Sequence, residues 1–121
     1  MTVPECTLDI SNVSHSTSVI MEGGGCVGKP TAVLRDVSAR VHGGEVLAVL
    51  GSKGSGKRAL LDVIAGRAVG EIRGRITLAG STLNADLFRR HGGYVAHRCY
   101  LLPSLTVRQT LTYATWLANL G

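Results

Sequence analysis

Alternation of apolar and polar residues predicts two strands in the first third of the chain. In residues 7–13, Leu8 and Ile10 fall on one face, as in a half-buried strand. The stretch from Val33 to Val41 alternates for longer, with an inward face made of Val37, Ala39 and Val41. Residues 22–29 between these strands are rich in glycine, which predicts a flexible connection.

A short apolar run and an amphipathic helix follow a turn at His42-Gly43-Gly44. The run from Val46 to Leu50 predicts a buried strand. Apolar residues then recur at helical spacing in a helix that begins at Lys57 and ends near Gly66, a natural helix-terminating residue. Strand, tight loop and helix in this order are typical of an α/β protein.

The second half of the chain predicts shorter elements. They are a strand from Arg75 to Ala79 closed by Gly80-Ser81, a helix from Asn84 to His91, and a strand from Gly93 to His97. Thr106 followed by Gln109 forms a capping box that opens a last helix, whose apolar face is Val107, Leu111, Ala114, Leu117 and Ala118. The chain therefore divides into an N-terminal strand and Gly-rich linker, 1–32, and a main α/β unit, 33–121.

Composition narrows the class of protein. The 121 residues are 45% hydrophobic but only 4% aromatic, an aliphatic composition suited to buried strands and their covering helices. The net charge of +5 comes from scattered basic residues without interleaved aromatics, so a solvated face is expected rather than a nucleic-acid site. Three cysteines without CxxC spacing favour a reduced cytosolic setting, and no signal peptide, metal cluster or membrane-spanning run is visible.

Gly51-Ser52-Lys53-Gly54-Ser55-Gly56-Lys57-Arg58 has the sequence of a phosphate-binding loop. Its glycines allow successive backbone N–H groups to turn toward a polyphosphate, and Lys57 can reach the terminal phosphates. It lies between the predicted strand and the predicted helix, whose N-terminus is the positive end of the helix dipole. The loop therefore predicts binding of a nucleotide.

Arg58 occupies the position where such loops carry a Ser or Thr hydroxyl that ligates Mg²⁺. Arginine has no lone pair for a metal, so the site favours nucleotide binding over hydrolysis, and Mg²⁺ coordination is doubtful. An alternative is that the loop is an empty structural relic with a solvated Arg58. Because a cation at a helix N-terminus opposes the dipole unless an anion lies beside it, we favour a loop that holds phosphate.

Two other glycine patterns offer competing interpretations. Gly23 and Gly28-Lys29 repeat the spacing of the phosphate loop, but Pro30 and a strand follow them, so a Gly-rich linker is expected there. Gly54-x-Gly56-x-x-Ala59 fits the dinucleotide fingerprint, yet no acidic residue follows about twenty positions later. The loop at residues 51–58 remains the stronger candidate.

With these motifs in order, the chain resembles the ATP-binding cassette of ABC transporters. The similarity rests on Val46-Leu-Ala-Val-Leu-Gly-Ser, the phosphate loop, and Leu60-Leu-Asp-Val-Ile-Ala-Gly-Arg67. The stretch Leu101-Leu-Pro-Ser-Leu-Thr-Val-Arg-Gln-Thr-Leu111 is similar to the segment after the Q-loop in the G subfamily, above all in the sterol-exporting pair. The resemblance implies an incomplete P-loop NTPase-like ABC nucleotide-binding domain, with a phosphate-loop core, an antiparallel β part and the start of the helical subdomain.

The same resemblance implies a function and its partners. It points to a half-subunit, at the cytoplasmic face of a membrane, that couples ATP binding and hydrolysis to sterol or lipid export. The partners would be its own transmembrane domain, expected beyond Gly121, and a second G-subfamily half-transporter in a heterodimer. The irregular loop matches the degenerate member of the sterol-exporting pair. This chain alone is expected to bind ATP without sustained hydrolysis.

The nucleotide site is predicted to contain the loop residues 51–58 and Ala59. The resemblance adds two histidines to this site. His15 aligns with the aromatic residue that stacks on adenine, and His97 aligns with the Q-loop glutamine that touches Mg²⁺ and the attacking water. Imidazole could hydrogen-bond there but is a poor Mg²⁺ ligand. The alternatives are that His15 is an exposed loop residue and that His97 is a strand-end residue without a ligand.

Two function classes compete with the transporter interpretation. A stand-alone P-loop kinase or NTPase would need the metal-binding hydroxyl and an apolar strand ending in Asp, and neither is found. A non-catalytic nucleotide-sensing or scaffold module would suit an irregular loop equally well. A signature segment and membrane spans encoded downstream would favour the transporter over both.

Overall fold

The computed structural model describes residues 6–17 and 30–120. The strands are β1 (Leu8–Thr17), β2 (Thr31–Val41), β3 (Glu71–Leu78) and β4 (Ser81–Thr82). The helices are α1 (Lys57–Ile64), α2 (Ala85–His91) and α3 (Val107–Ala118). The strands form one antiparallel sheet in the order β2-β1-β3-β4. The competing glycine pattern at Gly23 to Lys29 lies outside the described residues.

Strand β1 is central, because it pairs with β2 on one side and with β3 on the other. Leu8 stands opposite Val41 of β2 and Leu78 of β3. The predicted end of this strand at Val13 was too early, since β1 continues to Thr17. Backbone pairing on both sides holds these polar residues in the sheet, whatever their side-chain polarity.

Helix α1 packs its apolar face on the sheet and completes a small core. The core residues come from β1, β2 and α1: Ile10, Val13, Leu34, Leu60 and Val63. The alternation predicted for β2 is confirmed, with Val37, Ala39 and Val41 half-buried. The predicted end of α1 is also confirmed, because Gly66 follows it with a left-handed φ of +66°.

Two predicted strands, Val46 to Leu50 and Gly93 to His97, have no regular secondary structure. A strand needs a neighbouring strand to satisfy its N–H and C=O groups, and within residues 6–17 and 30–120 neither segment has one. Val46 and Val95 are each 95% exposed as a result. Apolar sequence alone therefore predicted two strands that the described residues do not form.

The remaining local predictions hold at helix starts and less well at strand bounds. The Asn84 side chain accepts a hydrogen bond from the Leu87 N–H and begins α2, and Thr106 and Gln109 form the predicted capping box of α3. Strand β3 begins at Glu71, four residues before its predicted start. The apolar face of α3 is exposed. Among the described helices, none is both long and apolar enough to cross a bilayer.

Candidate functional site

A cleft of about 810 Å³ opens where the phosphate loop, β1 and the segment around residue 97 meet. It brings together eight residues that the sequence assigned to the nucleotide site: His15, Lys53, Gly54, Gly56, Lys57, Arg58, Ala59 and His97. The other lining residues are Thr17, Val33, Asp62, Arg67, Ala68 and Val69. A cleft of this size falls within the usual range for sites that take small ligands and cofactors.

Glycines give the loop its shape at two positions. Gly54 and Gly56 have left-handed φ angles of +80° and +95°, which residues with a Cβ rarely adopt. At Gly56 a Cβ would also lie 2.9 Å from the Val33 carbonyl oxygen. The loop can therefore turn into α1 in contact with β2 only if residue 56 is glycine.

The Lys57 ammonium folds back over the loop that precedes it. Its Nζ donates hydrogen bonds of 2.7 Å to the carbonyl oxygens of Gly51 and Ser52, and lies 3.4 Å from Ser55 Oγ. Gly51, Ser52 and Ser55 do not line the cleft, but these contacts tie them to a side chain that does. The loop thus holds a cation in the lining of the cleft.

The charge of the cleft is strongly biased toward cations. Its described lining contains Lys53, Lys57, Arg58 and Arg67, against a single carboxylate, Asp62. The first turn of α1 has no acidic residue, and its first N–H groups have no partner within the helix. Both features favour an anion next to the loop.

His15 is a buried residue of β1, with 6% of its surface exposed. The interpretation of His15 as an exposed loop residue was therefore wrong. Its Nδ1 lies 3.2 Å from the Glu71 carbonyl oxygen. A carbonyl only accepts, so Nδ1 is the donor of this hydrogen bond. The backbone of β1 and β3 thus fixes the imidazole beside the cleft.

His97 is exposed and follows a segment that contacts α1 through Tyr94. The Tyr94 hydroxyl donates a 2.5 Å hydrogen bond to Asp62 Oδ1, and the Arg67 guanidinium carbon lies 4.8 Å from the centre of the Tyr94 ring. The hydrogen bond to Asp62 raises the pKa of Tyr94 above its ordinary value, aided by desolvation and by the charge of Asp62.

Sequence reasoning missed Asp62, Arg67 and Tyr94. A signal for Asp62 was available, because it lies four residues after Arg58 and so on the same face of α1. Arg67 follows Gly66, the residue that terminates α1, so helix capping also predicts that the chain turns back toward the helix at Arg67. The contact with Tyr94 could not be expected from sequence, since it joins residues that are 32 apart in the chain.

The side chains near the loop include several cations but few groups that could ligate a metal. Arg58 has no lone pair, and Asp62 Oδ1 already accepts a hydrogen bond from Tyr94. In the part of the chain that the structure describes, no group of three or more His, Cys, Asp or Glu residues could hold a metal ion. These residues fit a polyphosphate better than a divalent cation.

Comparison with known proteins agrees with this geometry. A family model described as ABC transporter matches residues 34–120. The chain is 42% identical over 88 residues to ATP-binding cassette sub-family G member 5 of Mus musculus, and 40% identical over 87 residues to ABC transporter G family member 6 of Arabidopsis thaliana. Each match covers 71% of this chain, but only 14% and 12% of the respective relative.

A glycine-rich loop that opens a helix beside a β-sheet is typical of phosphate-loop nucleotide-binding proteins. The matched family makes the class specific. The chain belongs to the ABC transporter family, and the relatives it resembles are members of the G subfamily. The predicted fold, an incomplete α/β nucleotide-binding domain with an antiparallel β part, is confirmed.

Proposed function

We propose that this chain is the ATP-binding part of a G-subfamily half-transporter that drives sterol or lipid export. The observation that carries the proposal is the cleft, in which the phosphate loop, His15 and His97 meet around four basic side chains. The match to G-subfamily relatives supports the transport role. Binding and hydrolysis of ATP by the assembled transporter would supply the energy.

Within the cleft, we assign the phosphates to the loop and the adenine to the β1 side. Lys57 lies on the loop and can move its ammonium from the Gly51 and Ser52 carbonyls to the terminal phosphates. The unpartnered N–H groups at the start of α1 would hold phosphate oxygens. His15 lines this side of the cleft, and the base would contact the small part of its surface that is exposed.

The nucleotide site of this subunit is degenerate in our proposal. Arg58 supplies a positive charge where an active loop would supply a metal-binding hydroxyl. ATP bound here would rely on Lys53, Lys57 and Arg58 for charge neutralisation, with little contribution from Mg²⁺. His97, in the Q-loop position, could donate a hydrogen bond but would be a poor ligand for Mg²⁺.

The assembly that performs transport would contain further parts. These are a transmembrane domain, which places this chain at the cytoplasmic face of a membrane, and a second G-subfamily half-transporter that completes the nucleotide site. Sterol or lipid would be handled by the membrane domain. Co-expression of the full-length product with and without a G-subfamily partner, followed by an export assay, tests this. Full export by the subunit alone would contradict the heterodimer.

Nucleotide binding is tested directly by an ATP titration of the wild type and Lys57→Ala. Loss of a charge-assisted hydrogen bond should weaken binding by about 1.5 to 3 kcal/mol, roughly tenfold to a hundredfold. Arg75→Ala is the matched control, because Arg75 carries the same charge on β3 and does not line the cleft. Equal affinity in the wild type and Lys57→Ala would refute the assignment of the phosphate loop.

Hydrolysis by the 121-residue chain is expected to be absent. Phosphate release from purified protein should equal that of Lys57→Ala, because Arg58 cannot ligate Mg²⁺ and Asp62, the one carboxylate in the described lining of the cleft, is engaged by Tyr94 through Oδ1. Turnover near 1 per second, on the order of a working enzyme, would contradict this. A nucleotide-sensing module would also bind without turnover, so only the export assay separates it from the transporter.

A further inference from the structure

Three side chains next to the cleft form a connection between α1 and the segment that carries His97. The Tyr94 hydroxyl donates to Asp62 Oδ1 at 2.5 Å, and Arg67 lies over the Tyr94 ring at 4.8 Å. We call Asp62, Arg67 and Tyr94 the tyrosine clamp. The nucleotide roles assigned above do not involve it.

The end of α1 builds two of the three clamp residues. Gly66, with its left-handed φ, ends the helix and turns the chain back on itself. The Arg67 N–H then donates a 2.8 Å hydrogen bond to the Asp62 carbonyl oxygen. Asp62 therefore holds Arg67 through its backbone and Tyr94 through its carboxylate, so the phenol meets a preformed pair.

The clamp is the polar attachment of residues 93–97 to the fold. This segment has no regular secondary structure, and Val95 is 95% exposed. Within residues 6–17 and 30–120, the Tyr94 hydroxyl makes the only hydrogen bond between this segment and α1. Loss of that bond should leave residues 93–97 free to move away from the cleft.

His97 lies three residues beyond Tyr94 and lines both the cleft and a smaller adjoining cavity of about 190 Å³. Arg58, Asp62 and Arg67 line both spaces as well. Arg58 and Asp62 are four residues apart on one face of α1, the helix that begins at the phosphate loop. The loop and His97 are thus joined through one helix face and one hydrogen bond.

We propose that the tyrosine clamp positions His97 at the nucleotide cleft and thereby sets nucleotide affinity, with Tyr94 as the positioning residue. The proposal rests on the proposed function, because it requires that nucleotide binds in this cleft. Tyr94 itself does not line the cleft and acts through His97.

ATP titrations of clamp variants test the proposal. Tyr94→Phe keeps the ring under Arg67 but removes the hydroxyl, and it should weaken ATP binding about threefold to tenfold, the range for one lost hydrogen bond. Asp62→Ala should bind ATP more weakly than Asp62→Asn, because both variants lose the charge but only Asp62→Asn keeps an acceptor oxygen for the Tyr94 hydroxyl. Tyr113→Phe is the control, since Tyr113 lies on α3 and its ring pairs with Trp116 away from the cleft.

A role in positioning is separated from a role in stability by two further measurements. In a His97→Ala background, Tyr94→Phe should change ATP affinity by less than about twofold, because its effect passes through His97. Without nucleotide, the imidazole NMR signals of His97 should shift in Tyr94→Phe while those of His91 do not. The proposal would be overturned if Tyr94→Phe weakened ATP binding in the His97→Ala background as much as it does in the wild type. Unchanged His97 signals in Tyr94→Phe would overturn it as well.

The outcome also distinguishes the clamp from the proposed function. If Lys57→Ala weakens ATP binding but Tyr94→Phe does not, the clamp is refuted and the phosphate loop stands. If Lys57→Ala leaves ATP binding unchanged, the proposed function is refuted, and the clamp's role in affinity is refuted with it.

Discussion

Gly56 is the residue at which the phosphate loop becomes a helix. Its φ of +95° and its contact with the Val33 backbone leave no room for a side chain. Gly56→Ala should therefore destabilise the fold by about 1 to 3 kcal/mol, the usual cost of a strained backbone position. Chemical denaturation measures this loss.

Gly93→Ala is the matched control for Gly56. Its Cβ would meet nothing within 4 Å, and Gly93 is not among the residues with positive φ. The free energy of unfolding of Gly93→Ala should stay within about 0.5 kcal/mol of the wild-type value. Equal losses in the two variants would show that the loop is not held in this conformation.

The Mg²⁺ dependence of ATP binding should depend on a single residue, Arg58. If its charge stands in for a metal, ATP binding by the wild type should depend little on Mg²⁺, while Arg58→Thr should restore that dependence by returning a hydroxyl. Titrations in Mg²⁺ and in EDTA compare the two proteins. Equal Mg²⁺ dependence would show that Arg58 is not a metal surrogate.

The residues of the site were only partly predictable from sequence. The loop and its irregular Arg58 stand in one contiguous motif, so they could be predicted from its spacing together with the helix that follows. The burial of His15 was missed because it depends on pairing of β1 with β3, which is distant in the chain. The contact between Asp62 and Tyr94 was missed for the same reason, since folding brings these residues together across 32 positions of the chain.

At the scale of elements, β1 and β2 are joined by an ion pair as well as by their backbones. Asp9 and Arg40 are cross-strand partners, and Arg40 Nε donates to Asp9 Oδ2 at 2.8 Å. The hydrogen bonds from Arg40 and then Ser11 lower the pKa of Asp9 below its ordinary 3.8. A lowered pKa stabilises the fold above about pH 4, and this contribution is lost as pH falls through the folded-state value.

The prediction is that Asp9→Asn flattens the acid side of the stability profile below about pH 4. Because the pair is exposed, 1 M salt should weaken the effect. Asp86→Asn is the control, since Asp86 pairs with Arg89 within α2 and joins no two elements. If Asp9→Asn lost stability at acid pH as steeply as the wild type, groups other than Asp9 would be responsible for that loss.

Helices were predicted more reliably than strands, for a physical reason. Caps are local, so Gly66, Asn84 and Thr106 fixed the ends of helices from sequence alone. A strand exists only if another strand pairs with it. Val46 to Leu50 has a strand-like composition, yet the described chain provides no partner.

At the scale of the molecule, burial of apolar side chains differs strongly between the core and two segments, 46–50 and 93–97. The core residues of β1, β2 and α1 are buried, whereas Val46, Leu50 and Val95 are each at least 90% exposed. Hydrogen exchange should therefore be slow at Ile10 and Val13 and fast throughout 46–50 and 93–97. Strong protection of residues 46–50 in the isolated chain would mean that they pair with another strand.

The central claim is that one cleft, built by the phosphate loop and two distant histidines, binds ATP. An NMR titration of the 121-residue chain with ATP tests it most directly, because it reports every affected residue at once. We predict saturable shifts at amides 51–59 and at the His15 and His97 rings, with none along α3. In Lys57→Ala, the loop shifts should need roughly tenfold to a hundredfold more ATP to saturate. Saturable shifts confined to other residues, or a Lys57→Ala protein that responds like the wild type, would contradict the account.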